Sequence, residues 1–549
     1  MTNVVPLRER TVVAGEGLPE RILSLFLHFP GAPGEPLRSA VMPSRSEIRR
    51  GASEAEPVEA EPVEVTPSAV RSRPLGRNFL LAMLLIIGVG LGIRGLNIAV
   101  WRPLEVPPIT QLDTYEKRDP DALALGGDAL YYHYQAKGLT KGLGYVDGYR
   151  YGAFGLVRPS ASHPPAFATY LAMWTLLGVD SPQGHRFAAA LLCLVTISAV
   201  AGTVRRLARD RAALIAATIA ALYPGAWIND TMLLSEALAQ AAVAAFLYAA
   251  TRTWQERSPK WAALGGLAAA VATLTRNEQI VLFAVLVVML VFSDGIRIWR
   301  SAKVWESVRL AAVAGLTGLV LIVPWVARNL ATFDQTTIFT TGIGGAISAA
   351  NCDATYRGEL LGWYANCFTG PFPEVRTDEN GLPYEVNAVG EVIDETGRDI
   401  APYEQGSAYL RDHTSELPKV VAARVGRLWG WFRPAQTTRL EIFIESRGVW
   451  QSWLALASMY ALQVGGVVGL VVMRRRRLPI SPTLALVAVA TFGAAITFGV
   501  ARYRGTAEIG LMVPAAIAID AALGSIESRR RARSHRTPPT PSPSLSDSA

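Results

Sequence analysis

The amino-acid sequence predicts an all-α polytopic membrane protein, a bundle of about ten transmembrane helices, and three observations carry that expectation. Half of the 549 residues are hydrophobic and mean hydropathy is +0.25 although both ends of the chain are polar, so the apolar residues are concentrated in the middle. Runs such as 79–93, 187–204 and 280–292 are apolar on every side and nearly free of charge, where a soluble helix would show a single apolar stripe. The arginines fall in short clusters beside these runs. The formal charge of +8 therefore reads as a topology signal, not as a surface for nucleic acid.

Taken in order, residues 1–77 are rich in Pro, Glu, Arg and Ser and have no apolar period, which predicts a disordered cytoplasmic tail without a signal-peptide pattern. With Arg71, Arg73 and Arg77 inside, a first span at 78–100 opens a long exoplasmic loop. The next span begins near His185 and ends at Arg205, Arg206, Arg209 and Arg211. For that cluster to lie inside, the apolar stretch 164–178 must lie along or re-enter the outer surface without crossing. Spans then follow at 212–228, 233–250, 261–275, 279–293 and 308–326, and later at 450–473, 483–500 and 508–524. This scheme puts every strongly basic cluster on one side, the cytoplasmic side of the cell membrane. It divides the chain into a tail (1–77), a catalytic transmembrane module (78–330), an exoplasmic segment (331–447), C-terminal helices (448–527) and a second disordered tail (528–549). Within the exoplasmic segment the mixture of Arg424, Arg427, Trp429, Trp431 and Phe432 suits an interfacial helix.

Three cysteines are too few for a disulfide scaffold or a metal cluster. Cys193 falls in a span and reads as a small core residue, whereas Cys352 and Cys367 share one exoplasmic segment and are expected to pair.

The same scheme gathers unusual polar residues at the outer ends of the spans. They include Asp128 and His163 in the first loop, Glu236, Arg276 and Glu278 between helices, Arg328 after the seventh span, and Arg502 with Arg504 before the last. Ionisable groups at membrane depth are costly unless they pair or line a cavity. A sugar phosphodiester needs cations to hold the leaving phosphate and a carboxylate to take the proton of the incoming hydroxyl. Asp128 fits the base, Glu236 and Glu278 a second carboxylate, and Arg276, Arg328, Arg502 and Arg504 the phosphate-holding cations. Structural readings stand beside these: Asp128 as a helix cap, Arg276 with Glu278 as a mutual pair, Tyr132 as interfacial packing, and Arg502 and Arg504 as headgroup anchors.

In pattern, residues 78–330 resemble the GT-C superfamily of integral membrane glycosyltransferases, in particular the family 39 group of protein O-mannosyltransferases and lipid A aminoarabinose transferases. The resemblance is carried by Gly-Asp-x-x-Tyr-Tyr at 127–132, His-Pro-Pro at 163–165, the span led by Arg186, Leu-Ser-Glu at 234–236, Leu-Thr-Arg at 274–276 and Pro-Trp-x-x-Arg-Asn at 324–329. Arg-Tyr-Arg at 502–504 is similar to actinobacterial members. The resemblance implies a GT-C-like bundle with juxtamembrane helices in the first exoplasmic loop and Asp128 as base. It also implies a polyprenyl-phosphate-linked sugar donor and a glycan, lipid or protein acceptor on the outer face. Many members carry Asp-Glu where this chain has Asp128-Ala129, which leaves the second carboxylate and the acceptor class open. Metal use varies in the group, so a divalent cation stays open although no ligand set is recognisable. The rival expectations are a transporter or lipid flippase, for which an internal repeat is wanting, and a non-catalytic scaffold.

Overall fold

The structure is a computed structural model that describes residues 75–100, 125, 127–292, 303–379 and 383–534. The expected tails lie outside the described residues up to residue 74 and from residue 535.

Helix α1 (Arg77–Val100) is apolar all round and mostly exposed, as a lipid-facing helix is. It touches the bundle through Gly90, where a Cβ would sit 3.0 Å from Ile197 and 3.2 Å from Ala221. The first loop then folds as α2 (Gly127–Thr140), α3 (Gly148–Phe154) and α4 (Ala166–Leu176). At 11 residues, α4 is too short to cross, in keeping with a stretch that does not traverse the bilayer. Helices α5 (Pro182–Leu191) and α6 (Cys193–Leu207) continue one another as a 26-residue apolar stretch.

The expected straight span at 212–228 is instead a broken one. Helix α7 (Asp210–Leu222) and α8 (Pro224–Thr231) meet at 49°, because Pro224 has no N–H to extend the ladder of α7 and starts the next helix at its first position. There follow α9 (Glu236–Glu256), α10 (Pro259–Thr273), α11 (Val281–Phe292) and α12 (Lys303–Thr332). Small residues let these helices pack backbone to backbone: a Cβ on Gly266 of α10 would land on the Ala314 carbonyl of α12.

Residues 333–448 form a separate layer over one end of the bundle. It holds α13 (Ile343–Ala350), a single turn α14 (Asp353–Tyr356) and an antiparallel meander β1 (Glu374–Thr377), β2 (Pro383–Val386) and β3 (Val392–Ile393). In the meander Glu374 is opposite Val386, and Val386 in turn is opposite Val392. Helices α15 (Gly397–Asp412), α16 (Leu417–Leu428) and α17 (Pro434–Ile444) complete it. Cys352 and Cys367 are joined, as expected. Two expectations need revision here and beyond. Arg424 and Arg427 of α16 do not reach a headgroup layer: both are buried, Arg424 donating to the carbonyls of Ala350 and Ala495 and Arg427 to those of Leu361 and Glu359. The chain closes with α18 (Val449–Arg475), α19 (Ser481–Ile496) and α20 (Gly505–Ser534), so 528–534 is helix and not tail.

Among the described residues, five helices are long and apolar enough to cross a membrane, or six if α7 and α8 count as one span. The other expected spans also fall on helices. However, α9 has no 18-residue stretch apolar enough to cross, and α10, α11 and α19 have only 15, 12 and 16 residues. At about 1.5 Å per residue the last three reach about 18–24 Å, short of an apolar layer of about 30 Å. Residues 274–276 and 497–500 leave non-helical backbone, followed by short 3-10 turns at 277–280 and 501–504, at one end of the bundle, where such backbone is tolerated only around a cavity. At the opposite end the basic clusters are tied down: Arg206 pairs with Glu256, and Arg209 and Arg211 with Asp520.

Candidate active site

Asp128 stands in the first turn of α2, where the exposed N–H groups and the helix dipole favour a carboxylate. Gly127, at φ +53°, makes the left-handed entry to that turn. The start of α3 is pressed against α2 so closely that a Cβ on Gly148 would land on the Tyr131 carbonyl oxygen, and Asp147 caps α3 through the N–H groups of Tyr149 and Arg150. This contact brings the Tyr149 hydroxyl to Asp128, to which it donates at 3.0 Å. His163 Nε2 lies 3.6 Å from the same carboxylate, and its ring packs against Tyr131 and Tyr132.

From the other side Arg502, in the turn between α19 and α20, pairs with Asp128 at 2.8 Å. The Arg502 guanidinium also faces Glu236 at 3.6 Å and Glu445 at 3.4 Å. Glu236, at the start of α9, accepts from Arg276 at 2.8 Å, and Arg276 pairs in turn with Glu278 at 2.6 Å. The Tyr503 ring lies beneath both guanidinium groups, 4.8 Å from Arg276 and 5.6 Å from Arg502. Asp128 keeps 22% of its side chain exposed, so the network opens at a mouth.

Burial drives the Asp128 carboxyl upward, but Arg502 and His163 beside it and the hydrogen bonds from Arg502 and Tyr149 outweigh burial and hold it well below the usual carboxylate range. His163 is lowered, first by burial and then by Arg502 and Arg276, against the pull of Asp128. At neutral pH the pair is a carboxylate beside a neutral imidazole.

Six of the sequence-predicted residues thus converge: Asp128, His163, Glu236, Arg276, Glu278 and Arg502. Tyr132 is buried under the His163 ring. Arg504 lies behind Arg502, paired with Glu508 at 2.6 Å and donating to the Leu428 carbonyl. Arg328 is elsewhere: it donates to the Ser160 and Tyr145 carbonyls and stacks on Trp325, holding the first loop to α12. Arg186 is buried near the start of α5.

Sequence reasoning did not single out Tyr149, Glu441, Glu445, Arg447 or Tyr503 as site residues. Arg447 pairs with Glu445 at 2.7 Å and Glu441 accepts from the Ala501 N–H at 2.6 Å, so the 441–447 corner grips the 3-10 turn that carries Arg502. The available signal was the Glu-x-x-x-Glu-x-Arg spacing just before a span. Also unforeseen was Arg94, buried in α1 and paired with Asp230 at 2.7 Å. Among the described residues no three His, Cys, Asp or Glu side chains converge on a metal position. The carboxylates at the mouth are each committed to arginine, so this arrangement does not fit a divalent cation.

Residues 162–327 match the family described as dolichyl-phosphate-mannose-protein mannosyltransferase. No curated protein matches the chain. Among solved structures, the Archaeoglobus fulgidus oligosaccharyltransferase, in complex with zinc and sulfate, is similar at 14% identity and a TM-score of 0.43, over 82% of this chain and 50% of that one. ArnT from Cupriavidus metallidurans bound to undecaprenyl phosphate is similar at 16% identity and a TM-score of 0.34, over 81% of this chain and 79% of that one. The chain spans about half the length of the archaeal oligosaccharyltransferase. The segment 162–327 holds His163, Glu236, Arg276 and Glu278, and its match bears out the resemblance of this multi-pass helical protein to the GT-C membrane glycosyltransferases.

Proposed function

We propose that the protein transfers a sugar from a polyprenyl-phosphate carrier to an acceptor hydroxyl at the outer face of the cytoplasmic membrane, with Asp128 as the general base. The observation that carries this reading is the pairing of Asp128 with Arg502 at 2.8 Å in a mouth that also holds His163, Glu236 and Arg276. A hydroxyl resting on Asp128 gives up its proton to the carboxylate as its oxygen bonds to the anomeric carbon. The bond from that carbon to the phosphate oxygen breaks, and its electron pair leaves on the phosphate.

Arg502 serves both ends of this exchange. While it pairs with Asp128 the carboxylate is a weak base, held ionised well below its usual range. As charge develops on the departing phosphate, Arg502 is drawn to it, and Asp128 loses the partner that suppressed its proton affinity. Base strength thus rises as the leaving group departs. Glu236 holds Arg276 and borders Arg502, which suits it to orient the cations. The family match over 162–327 supports the lipid-linked donor class.

The test is to incubate the purified protein with a panel of radiolabelled polyprenyl-phosphate sugars and an acceptor extract, and to measure release of polyprenyl phosphate. Release from at least one donor is expected. Release from none of them contradicts the reading and favours transport or scaffolding.

A further inference from the structure

Within the first loop two short segments pair with each other. The Asp147 N–H donates to the Arg158 carbonyl at 2.9 Å and the Ser160 N–H to the Tyr145 carbonyl at 2.8 Å, with Val146 bridged to Pro159. Two groups that flank Asp128 issue from this ladder, Tyr149 just after Asp147 and His163 just after Ser160 and Ala161. Whatever fixes the ladder therefore fixes both.

The 333–448 layer grips each segment. At the first, Arg398 of α15 faces Asp147 at 3.6 Å and Glu385 of β2 at 3.3 Å, and Arg150 of α3 pairs with the same two carboxylates. At the second, the Glu395 carboxyl, between β3 and α15, accepts from the Ser160 hydroxyl at 2.9 Å and the Ala161 N–H at 2.7 Å. Ser160 accepts in turn from the Tyr131 hydroxyl at 3.0 Å, and the Tyr131 ring meets the His163 ring edge-on at 4.6 Å. Asp147, Glu385 and Glu395 expose at most 8% of their side chains, and Ser160 and Tyr131 are fully buried, so water does not replace a lost partner. Glu385, Glu395 and Arg398 all lie outside the matched segment 162–327.

We propose that Glu395 and Arg398 are positioning residues, through which the 333–448 layer sets His163 and Tyr149 against Asp128. The proposal rests on the function proposed above and adds what keeps that site assembled. With the grip closed, Asp128 is held by Tyr149 and His163 on one side and by Arg502 on the other, a fixed carboxylate for the incoming hydroxyl. With the grip released, both flanking groups are free to leave it.

The experiment follows the titration of the His163 imidazole by NMR in full-length, histidine-labelled protein in detergent, with His163→Gln to assign the signal. Turnover is measured alongside on undecaprenyl-phosphate-linked sugars. In place, His163 titrates below its ordinary value because burial outweighs the pull of Asp128. Glu395→Ala is expected to raise the midpoint toward about 6.5 and to lower turnover at least about tenfold with the donor KM little changed. Glu395→Gln, whose amide accepts from the Ala161 N–H and donates to the Ser160 oxygen, is expected to restore both. Arg398→Ala is expected to lower turnover, and to cost little more when combined with Tyr149→Phe. Melting temperatures identify a misfolded variant. Should Glu395→Ala misfold, Ser160→Ala is expected to shift both readings the same way by less. An unchanged midpoint in a folded Glu395→Ala, or an equal loss in Glu395→Gln, overturns the positioning role of Glu395. Losses from Arg398→Ala and Tyr149→Phe that add in full overturn that of Arg398. A shifted midpoint with normal turnover overturns the link to transfer and leaves Asp128 as base. A shifted midpoint in Glu395→Ala when wild type releases no lipid phosphate from any donor overturns the function proposed above and spares the placement of the loop.

Discussion

Asp128 and Glu395 show how far a carboxyl can be driven in opposite directions by its neighbours. Asp128 is held low by Arg502 and His163, so activity should lose its base only at pH values below the ordinary carboxylate range. Glu395 sits beneath the first loop, accepting from the Ala161 N–H at 2.7 Å and the Ser160 hydroxyl at 2.9 Å, with Arg398 at 3.7 Å. Burial pushes its carboxyl up to about 7, and the nearby Asp147 adds to the rise against those hydrogen bonds. The sign follows from proton binding. Between the unfolded value of about 4.3 and about 7 the folded state holds the proton more tightly, so stability falls as pH rises through that window. The melting temperature in detergent should therefore decline from pH 5 to pH 8, and Glu395→Gln should flatten that decline. An unchanged slope in the variant would remove Glu395 as its source. The residues legible in the sequence were those at membrane depth, where a charge demands a reason. Tyr149 and Glu445 were not, because a tyrosine or glutamate in a polar loop is ordinary until the fold sets it beside Asp128 or Arg502.

Among the elements, the apolar runs were readable because lipid selects composition over their whole length: each expected span falls on a helix. What composition did not reveal was their shape. Pro224 could have been read as a break, yet a continuous apolar stretch on both sides of it suggested one straight span. The tie between α1 and α8 was also hidden, since Arg94 and Asp230 are 136 positions apart. Both side chains are buried, at 0% and 1% exposure. Arg94→Leu should leave Asp230 uncompensated and cost about 3–5 kcal/mol, read as a lower melting temperature in detergent. The double variant Arg94→Leu with Asp230→Leu should recover a large part of the loss. A single variant as stable as wild type would show the pair to be dispensable.

On the scale of the whole molecule, the bundle has a basic end and a site end. Helix α9 joins them, with Glu236 beside Arg502 at its start and Glu256 beside Arg206 at its finish, about 30 Å apart for 21 residues. On the orientation expected from the charge rule, with the basic end in the cytoplasm, the mouth and the 333–448 layer would face outside. Single cysteines in that layer, at exposed positions such as Val389 and Tyr403, should react with a membrane-impermeant maleimide added to intact cells. Reaction only after the membrane is broken would reverse the orientation. The layer itself was the least legible part of the chain, because its short strands and buried Arg424 and Arg427 follow from contacts with the first loop and α19 that no local pattern announces.

The central claim is that Asp128 takes the proton of the acceptor, and the most direct measurement is transfer by Asp128→Asn. The amide keeps the shape and accepts a hydrogen bond but has no negative charge with which to take the proton. The account predicts loss of at least about a hundredfold in turnover, with membrane insertion, abundance and lipid-phosphate binding retained. Transfer at a near-normal rate by that variant would contradict it.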